Sequence, residues 1–162
     1  MAKQKNIYLL DEIEKKREKD CIEFLEDRGF IISPPPKKYY DVNTIDELVL
    51  FFYLSMYKHN LNRKFRYTPM SEDRKVVSTF VKYRIGVSNV NRKVAMTECA
   101  RIIEVLFKYE EKLNLKQPIT SPIILMQDWL INRALSIING ENADLEQKFF
   151  SDIDDLIDKL ID

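Results

Sequence analysis

Apolar residues recur at three- and four-residue steps along most of this chain, which is the spacing of one face of an α-helix. The first such segment covers about residues 9–28 and has Ile13, Cys21 and Leu25 at multiples of four. It stops at Gly29, and a glycine just beyond the last periodic residue is typical of a helix end. The pattern therefore predicts an N-terminal helix.

Two features set this first helix apart from the rest of the chain. Every residue from 14 to 20 is charged, which indicates that much of the helix is solvated. Three consecutive prolines at 34–36 exclude a helix there and favour a stiff polyproline conformation. We therefore expect a mobile N-terminal helical arm over residues 1–33, a proline-rich linker over 34–43 and a helical body over 44–162.

The body begins with a capping box, in which Thr44 precedes Glu47 by three positions and satisfies free N–H groups at a helix start. The helix that follows, about residues 45–61, is apolar or aromatic on nearly every side, which is typical of a helix at the centre of a bundle. Residues 62–69 break the pattern and form either an extended loop or a short strand. Further helices are predicted over residues 72–85, 89–113 and 122–139, with Gly86 and Gly140 as terminators and Ser88 as a cap.

The last segment, residues 143–161, is predicted to be an acidic amphipathic helix. Its apolar positions recur at threes and fours: Leu145, Phe149, Ile153, Leu156 and Leu160. Two interpretations are open, since such a stripe packs either on the body of the same molecule or against another subunit or partner; the docked helix is the default expectation. Together these patterns predict an all-α protein, a compact bundle of five or six helices with an N-terminal arm.

Composition agrees with a helical domain. The chain has 162 residues, 45% of them hydrophobic, with only three glycines and six prolines, which disfavours a multi-stranded β architecture. Cys21 and Cys99 lie far apart without a metal-type spacing, as expected for reduced, buried thiols. The apolar stretch 7–10 is too short for a signal peptide or a membrane span. We therefore expect a cytoplasmic protein that does not bind membranes.

The sequence offers little for catalysis. His59 is the only histidine, so a Ser-His-Asp or Cys-His arrangement would depend on that residue alone. Three scattered glycines cannot build a phosphate-binding loop, and one histidine with two distant cysteines does not supply a zinc site. We expect no enzymatic activity, no cofactor, no metal and no small-molecule substrate.

Charge is sorted along the chain. Residues 58–101 carry eleven Lys and Arg against three acids, a net charge of +8, whereas residues 141–162 carry eight acids against two lysines, a net charge of −6. A basic block attracts phosphate backbones, and arginines between aromatic residues suit base stacking. The residues expected to contact DNA or RNA are Lys58, Arg63, Lys64, Arg66, Tyr67, Arg74, Lys75, Lys82, Arg84, Asn89, Asn91, Arg92 and Lys93.

The centre of this block resembles the turn of a helix-turn-helix DNA reader, in which Gly-apolar-Ser joins two helices. Here the turn is Gly86-Val87-Ser88, and the resemblance implies that the residues after it begin a recognition helix in the major groove. The pattern departs from the motif where Lys82 replaces a small residue and Arg92 replaces a buried aliphatic one. An ordinary helix–glycine–helix corner is the alternative.

These observations lead to two hypotheses of function. The first is a non-enzymatic, nucleic-acid-associated adaptor or regulator, of phage or mobile-element origin, that docks on phosphates through residues 58–93. The second is a protein–protein interaction module that binds or inhibits a larger host or phage machine, or a second copy of itself. Its contact surface would be the acidic helix with Asp152, Asp154, Asp155 and Asp158. In a combined version, the acidic helix covers the basic block until a partner displaces it.

Overall fold

The computed structural model describes residues 2–32, 36–59 and 72–161. The α-helices are α1 (Ala2–Asp27), α2 (Ile45–His59), α3 (Asp73–Ser88), α4 (Arg92–Lys108) and α5 (Asp128–Ile161), and 3₁₀ helices cover Tyr39–Asp41, Glu110–Leu113 and Pro122–Met126. The described part of the chain contains no strand, and the all-α prediction is confirmed. The alternation at residues 62–69 lies outside the described residues.

Helix α2 lies at the centre of the bundle, as its apolar composition predicts. Its N-terminus is capped by Thr44, whose hydroxyl oxygen accepts a hydrogen bond of 3.1 Å from the backbone N–H of Glu47. From Leu48 to Phe52 every side chain is buried, and α2 packs against α1, α3 and α4. Because no side of this helix is polar, the other helices must surround it.

The end of α1 belongs to the core of the bundle. Cys21 and Leu25 are fully buried where α1 packs on α2, and Phe30 and Ile32 beyond the helix are also buried. Gly29 takes a φ of 84°, a left-handed conformation that ends the helix, as the sequence indicates. The highly charged residues 12–20 are exposed or half-buried, so α1 leaves the core towards its N-terminus.

The predicted corner between α3 and α4 forms three residues later than expected. Gly86 does not end α3; the helix continues to Ser88, and Asn89 takes the left-handed conformation with a φ of 52°. The cap of α4 is Asn91, not Ser88, since the Asn91 side-chain oxygen accepts a hydrogen bond of 2.9 Å from the N–H of Val94. Asparagine can adopt the left-handed conformation, and its side chain can also cap a helix. Asn89 and Asn91 therefore take the roles predicted for Gly86 and Ser88.

Helix α4 also ends earlier than predicted, at Lys108 rather than residue 113. Its continuation, Glu110–Leu113, is a 3₁₀ helix that ends at Asn114 in a left-handed conformation with a φ of 54°.

The prediction of two separate helices over 122–139 and 143–161 is wrong. Residues Pro122–Met126 form a 3₁₀ helix, and a single helix of 34 residues, α5, runs from Asp128 to Ile161 without a break at Gly140. A glycine inside a helix weakens it by only about 1 kcal/mol, which the surrounding turns can offset.

Two buried polar contacts hold α3 in place. The Tyr53 hydroxyl of α2 donates a 2.7 Å hydrogen bond to the carboxylate of Asp73 in the first turn of α3, and both residues are buried. At the other end, the Arg84 guanidinium forms an ion pair with Glu98 of α4, and the same carboxylate oxygen accepts a 3.1 Å hydrogen bond from the Ser88 hydroxyl. Arg84 is only 6% exposed, so its buried positive charge needs the carboxylate of Glu98 to offset the cost of desolvation.

We expect Glu98→Gln to destabilise the fold by about 2 to 3 kcal/mol, because it leaves the buried Arg84 without a counter-charge. Urea unfolding at neutral pH measures the loss. Glu111→Gln, at an exposed site in the 3₁₀ helix after α4, is the matched control and should change stability by less than about 0.5 kcal/mol. Equal effects of the two substitutions would contradict this role of Glu98.

The Asp73 contact makes a prediction about pH. Burial raises the pKa of Asp73, while the hydrogen bond from Tyr53 opposes the shift. Because the pKa in the folded protein lies above the unfolded value of about 3.9, folded Asp73 holds its proton more tightly. The stability of the wild-type protein relative to Asp73→Asn should therefore fall as pH rises from the pKa of unfolded Asp73 to that of folded Asp73. Above the folded pKa, the difference in stability should stay constant.

The test compares urea unfolding of the two proteins from about pH 3.5 to pH 7. A stability difference that rises with pH would reverse the sign and contradict the argument.

Tyr53→Phe should lower the free energy of unfolding by about 1 to 3 kcal/mol at neutral pH, since it leaves a buried carboxylate without its hydrogen-bond donor.

Candidate functional site

An exposed apolar surface lies on the second half of α5. The first half packs against α4 and the 3₁₀ helix Pro122–Met126. Beyond Glu141, Leu156, Ile157 and Leu160 are 59%, 47% and 85% exposed. We call residues 142–161 the distal segment; at 1.5 Å per residue it is about 30 Å long. Leu156 and Leu160 are therefore not packed on the body, contrary to the expectation of a docked helix, and the side chains of the predicted stripe residues Leu145 and Phe149 lie outside the described part of the structure.

Glu141 marks the point where α5 leaves the body. Its carboxylate accepts a 2.6 Å hydrogen bond from Arg101 and another from the Tyr109 hydroxyl, and the Lys108 ammonium lies 3.7 Å away. The Tyr109 hydrogen bond, followed by the charges of Arg101 and Lys108, lowers the pKa of Glu141. This carboxylate therefore fastens α5 to α4 immediately after Gly140.

The distal segment is amphipathic. Each residue turns a helix by about 100°, so Ile153, Leu156, Ile157 and Leu160 fall on one face. We call these four residues the apolar stripe; Ile153 is half-buried and the other three are exposed. An unpartnered apolar face on a helix of this length is typical of a binding surface.

The four predicted acidic contact residues, Asp152, Asp154, Asp155 and Asp158, are all exposed along the same segment. Asp152 and Asp154 lie about 100° to either side of Ile153 and border the apolar stripe, whereas Asp155 lies on the opposite face. Among the described residues, no ion pair joins these carboxylates to the basic block, and residues 60–71 of that block lie outside the described part of the chain. The intramolecular acidic cover stays a prediction.

Several predicted nucleic-acid contacts belong to the body instead. Arg84 is buried in its ion pair with Glu98 and cannot reach a phosphate, so its assignment is corrected. Arg74 donates to Asp46 at 2.8 Å and to the Gly29 carbonyl at 2.7 Å, and its guanidinium lies 3.7 Å from the centre of the Phe30 ring. Arg74 therefore ties the end of α1 to α2 and α3.

Lys93 and Asn91 also have internal partners. The Lys93 ammonium donates to the backbone carbonyl of Val42 at 3.1 Å and to that of Tyr40 at 3.3 Å, and it contacts the Asn43 side chain. Asn91 caps α4, so its side-chain oxygen is occupied. These contacts connect the start of α4 to the loop before α2.

A narrower basic surface remains on α3. Lys75, Thr79, Lys82 and Gly86 are exposed at steps of three and four residues and therefore share one helix face, which we call the α3 strip. Within the described residues, neither Lys75 nor Lys82 forms a salt bridge, and Arg92 continues the positive charge at the start of α4. Asn89 is exposed at the corner between the helices.

The remaining predicted contacts are separate from this strip. Lys58 lies in a groove between α1, α2 and α4 that has a volume of about 620 Å³ and contains charges of both signs. The predicted contacts at Arg63, Lys64, Arg66 and Tyr67 lie outside the described residues.

His59 lies in the same groove as Lys58. Partial burial and the charge of Lys58 lower the pKa of His59.

Among residues 2–32, 36–59 and 72–161, no group of three His, Cys, Asp or Glu could hold a metal ion. None of the helices in these ranges is long and apolar enough to cross a membrane.

The sequence analysis missed one exposed apolar patch. Ile123, Met126 and Trp129 are 59%, 47% and 48% exposed at the junction of the 3₁₀ helix and α5, and the Arg133 guanidinium lies 5.2 Å from the centre of the Trp129 ring. In the sequence, these residues recur every three positions from Ile123, which resembles the core face of the helix that was predicted there.

Comparison with family models, with curated proteins and with solved structures finds no match to the chain.

Gly140 and Gly29 provide a matched test of the continuous α5. An added Cβ would meet no atom within 4 Å at either position, but only Gly29 has a positive φ, of 84°. We expect Gly140→Ala to stabilise the fold by about 1 kcal/mol through helix propensity, and Gly29→Ala to destabilise it by about 1 to 2 kcal/mol through strain. Urea unfolding measures both changes. Destabilisation by Gly140→Ala would mean that the helix breaks at this glycine.

Proposed function

We propose that this protein is a protein–protein interaction module that contacts its partner through the apolar stripe of the distal segment. The observation that carries the proposal is that α5 continues for about five turns beyond Glu141 and that Leu156, Ile157 and Leu160, in its last two turns, are exposed. Burial of an exposed Leu or Ile side chain contributes about 1.5 to 3 kcal/mol, so the stripe offers enough apolar surface to support binding.

The test compares the full chain with a Leu156→Ser/Leu160→Ser variant. Both proteins are used as bait in the cells that produce the chain, and captured proteins are identified by mass spectrometry. We expect specific partners to be lost from the variant, because its stripe no longer excludes water. Asp155→Ser, on the opposite face of the same helix, is the control and should retain them.

A set of captured proteins that is the same for all three baits would contradict the proposal. Both leucines are exposed, so the variant should fold as the wild-type protein does, and circular dichroism checks this.

A second candidate function is docking on a nucleic-acid backbone through the α3 strip. The specific observation is Gly86, an exposed glycine inside α3 at which a Cβ would meet no atom within 4 Å. Packing does not require a glycine there, although it weakens the helix by about 1 kcal/mol. A glycine permits close approach of a ligand to the helix backbone, and Lys82 and Arg92 lie on either side of it in the sequence.

This candidate predicts salt-sensitive binding of DNA or RNA. With three phosphate contacts, from Lys75, Lys82 and Arg92, affinity should fall roughly fortyfold between about 50 and 200 mM salt. Fluorescence anisotropy with labelled duplex and single strands measures this. Lys75→Glu/Lys82→Glu should abolish the binding, and the exposed control Lys116→Glu should change it by less than about threefold. An equal loss for Lys116→Glu would indicate nonspecific attraction, and no binding at low salt would exclude the candidate.

A further inference from the structure

We propose that the partner segment bound by the distal segment is a basic amphipathic helix of another protein. This inference rests on the proposed function and adds the chemistry of the partner to it. The apolar stripe supplies the contact area, and the charge around the stripe selects the partner.

The charge beside the stripe is mostly negative. The two borders of the stripe begin with Asp152 and Asp154, each exposed and about 100° from Ile153, and Lys159 adds one cation on the side of Asp152. Asp158 extends the border on the side of Asp154, one turn further along. Residues 141–162 carry eight acids against two lysines, so a surface that approaches this helix meets a negative field. Lys or Arg beside the partner's apolar face would complement both borders.

The same charge disfavours other occupants. A second copy of the chain would bring an equally acidic helix against this one, and like charges at facing positions destabilise a helix pair. Nucleic acids would be repelled for the same reason. A positively charged protein segment is the macromolecule that satisfies both the apolar stripe and its acidic borders.

The shape of the surface favours a helix as the bound segment. The apolar stripe follows one face of a straight helix, and its residues Ile153, Leu156 and Leu160 have the three- and four-residue spacing that interlocks with a second helix. The four residues of the stripe extend over about two turns, from Ile153 to Leu160, which is the contact length that they offer to a partner helix.

The test uses two labelled synthetic helices of 21 residues, built on three heptads. Both have leucine at positions a and d; one has lysine at positions e and g, and the other has glutamate there. Fluorescence anisotropy of the full chain is measured at about 50 mM salt with each peptide. We expect the lysine peptide to bind at least about tenfold more tightly than the glutamate peptide.

Matched charge reversals locate the recognition. Asp152→Lys/Asp154→Lys changes the borders, whereas Asp144→Lys/Asp155→Lys makes the same change in net charge on the opposite face of the helix. The border variant should lose about tenfold in affinity for the lysine peptide and gain affinity for the glutamate peptide, and the other should change by less than about threefold. Equal losses for the two variants, or equal binding of the two peptides, would overturn the inference.

The Leu156→Ser/Leu160→Ser variant separates this inference from the proposed function. If it loses both peptides while the charge reversals have no effect, the stripe is a binding surface but its partner is not selected by charge. If it binds as the wild-type protein does, the proposed function fails as well. Sedimentation equilibrium tests whether a second copy of the chain binds at the stripe. If the wild-type protein is a dimer and this variant is a monomer, the bound segment belongs to a second copy and the inference is overturned.

Discussion

The structure depends on the burial of α2 from all directions. A helix with apolar side chains around its whole circumference cannot lie at a surface, so α1, α3 and α4 pack on it and use their apolar faces in doing so. Helix α5 packs one layer further out, on α4 and the 3₁₀ helix before it. In the second half of α5, Leu156, Ile157 and Leu160 of the stripe stay exposed.

Charged side chains connect the parts of the bundle that apolar packing alone does not orient. Arg74 joins the end of α1 to α2, Arg84 joins α3 to α4 through Glu98, and Arg101 joins α4 to α5 through Glu141. Each of these arginines comes from the block that looks available for phosphate binding in the sequence. The internal acids that bind them lie in separate helices, so the block is less positive at the surface than its formal charge indicates.

Features that depend on residues close together in the sequence could be predicted, whereas features that depend on residues far apart in the sequence could not. The cap at Thr44, the central α2 and the helix end at Gly29 depend on neighbouring residues, and the sequence predicts all three. The burial of Arg84 depends on Glu98, fourteen positions away on another helix, and no local pattern reveals it. The sequence also predicts a helix end at Gly140, whereas α5 continues through this residue. A single glycine destabilises a helix only slightly, and the contacts of Glu141 and the helical turns on both sides outweigh that effect. The exposure of the apolar stripe could not be predicted either, since it depends on whether the bundle has space for one more helix.

The anchored half of α5 has a consequence for how the distal segment behaves in solution. Starting a helix is the unfavourable step, because several residues must be ordered before the first hydrogen bonds form, whereas adding a turn to an existing helix is nearly neutral. Residues 128–141, held on the body by Arg101 and Tyr109, supply that nucleus for the residues that follow. A partner of the kind proposed above would therefore meet a surface that is already helical, and little conformational entropy would be lost on association. In that proposed binding, Arg101 and Tyr109 would contribute without touching the partner.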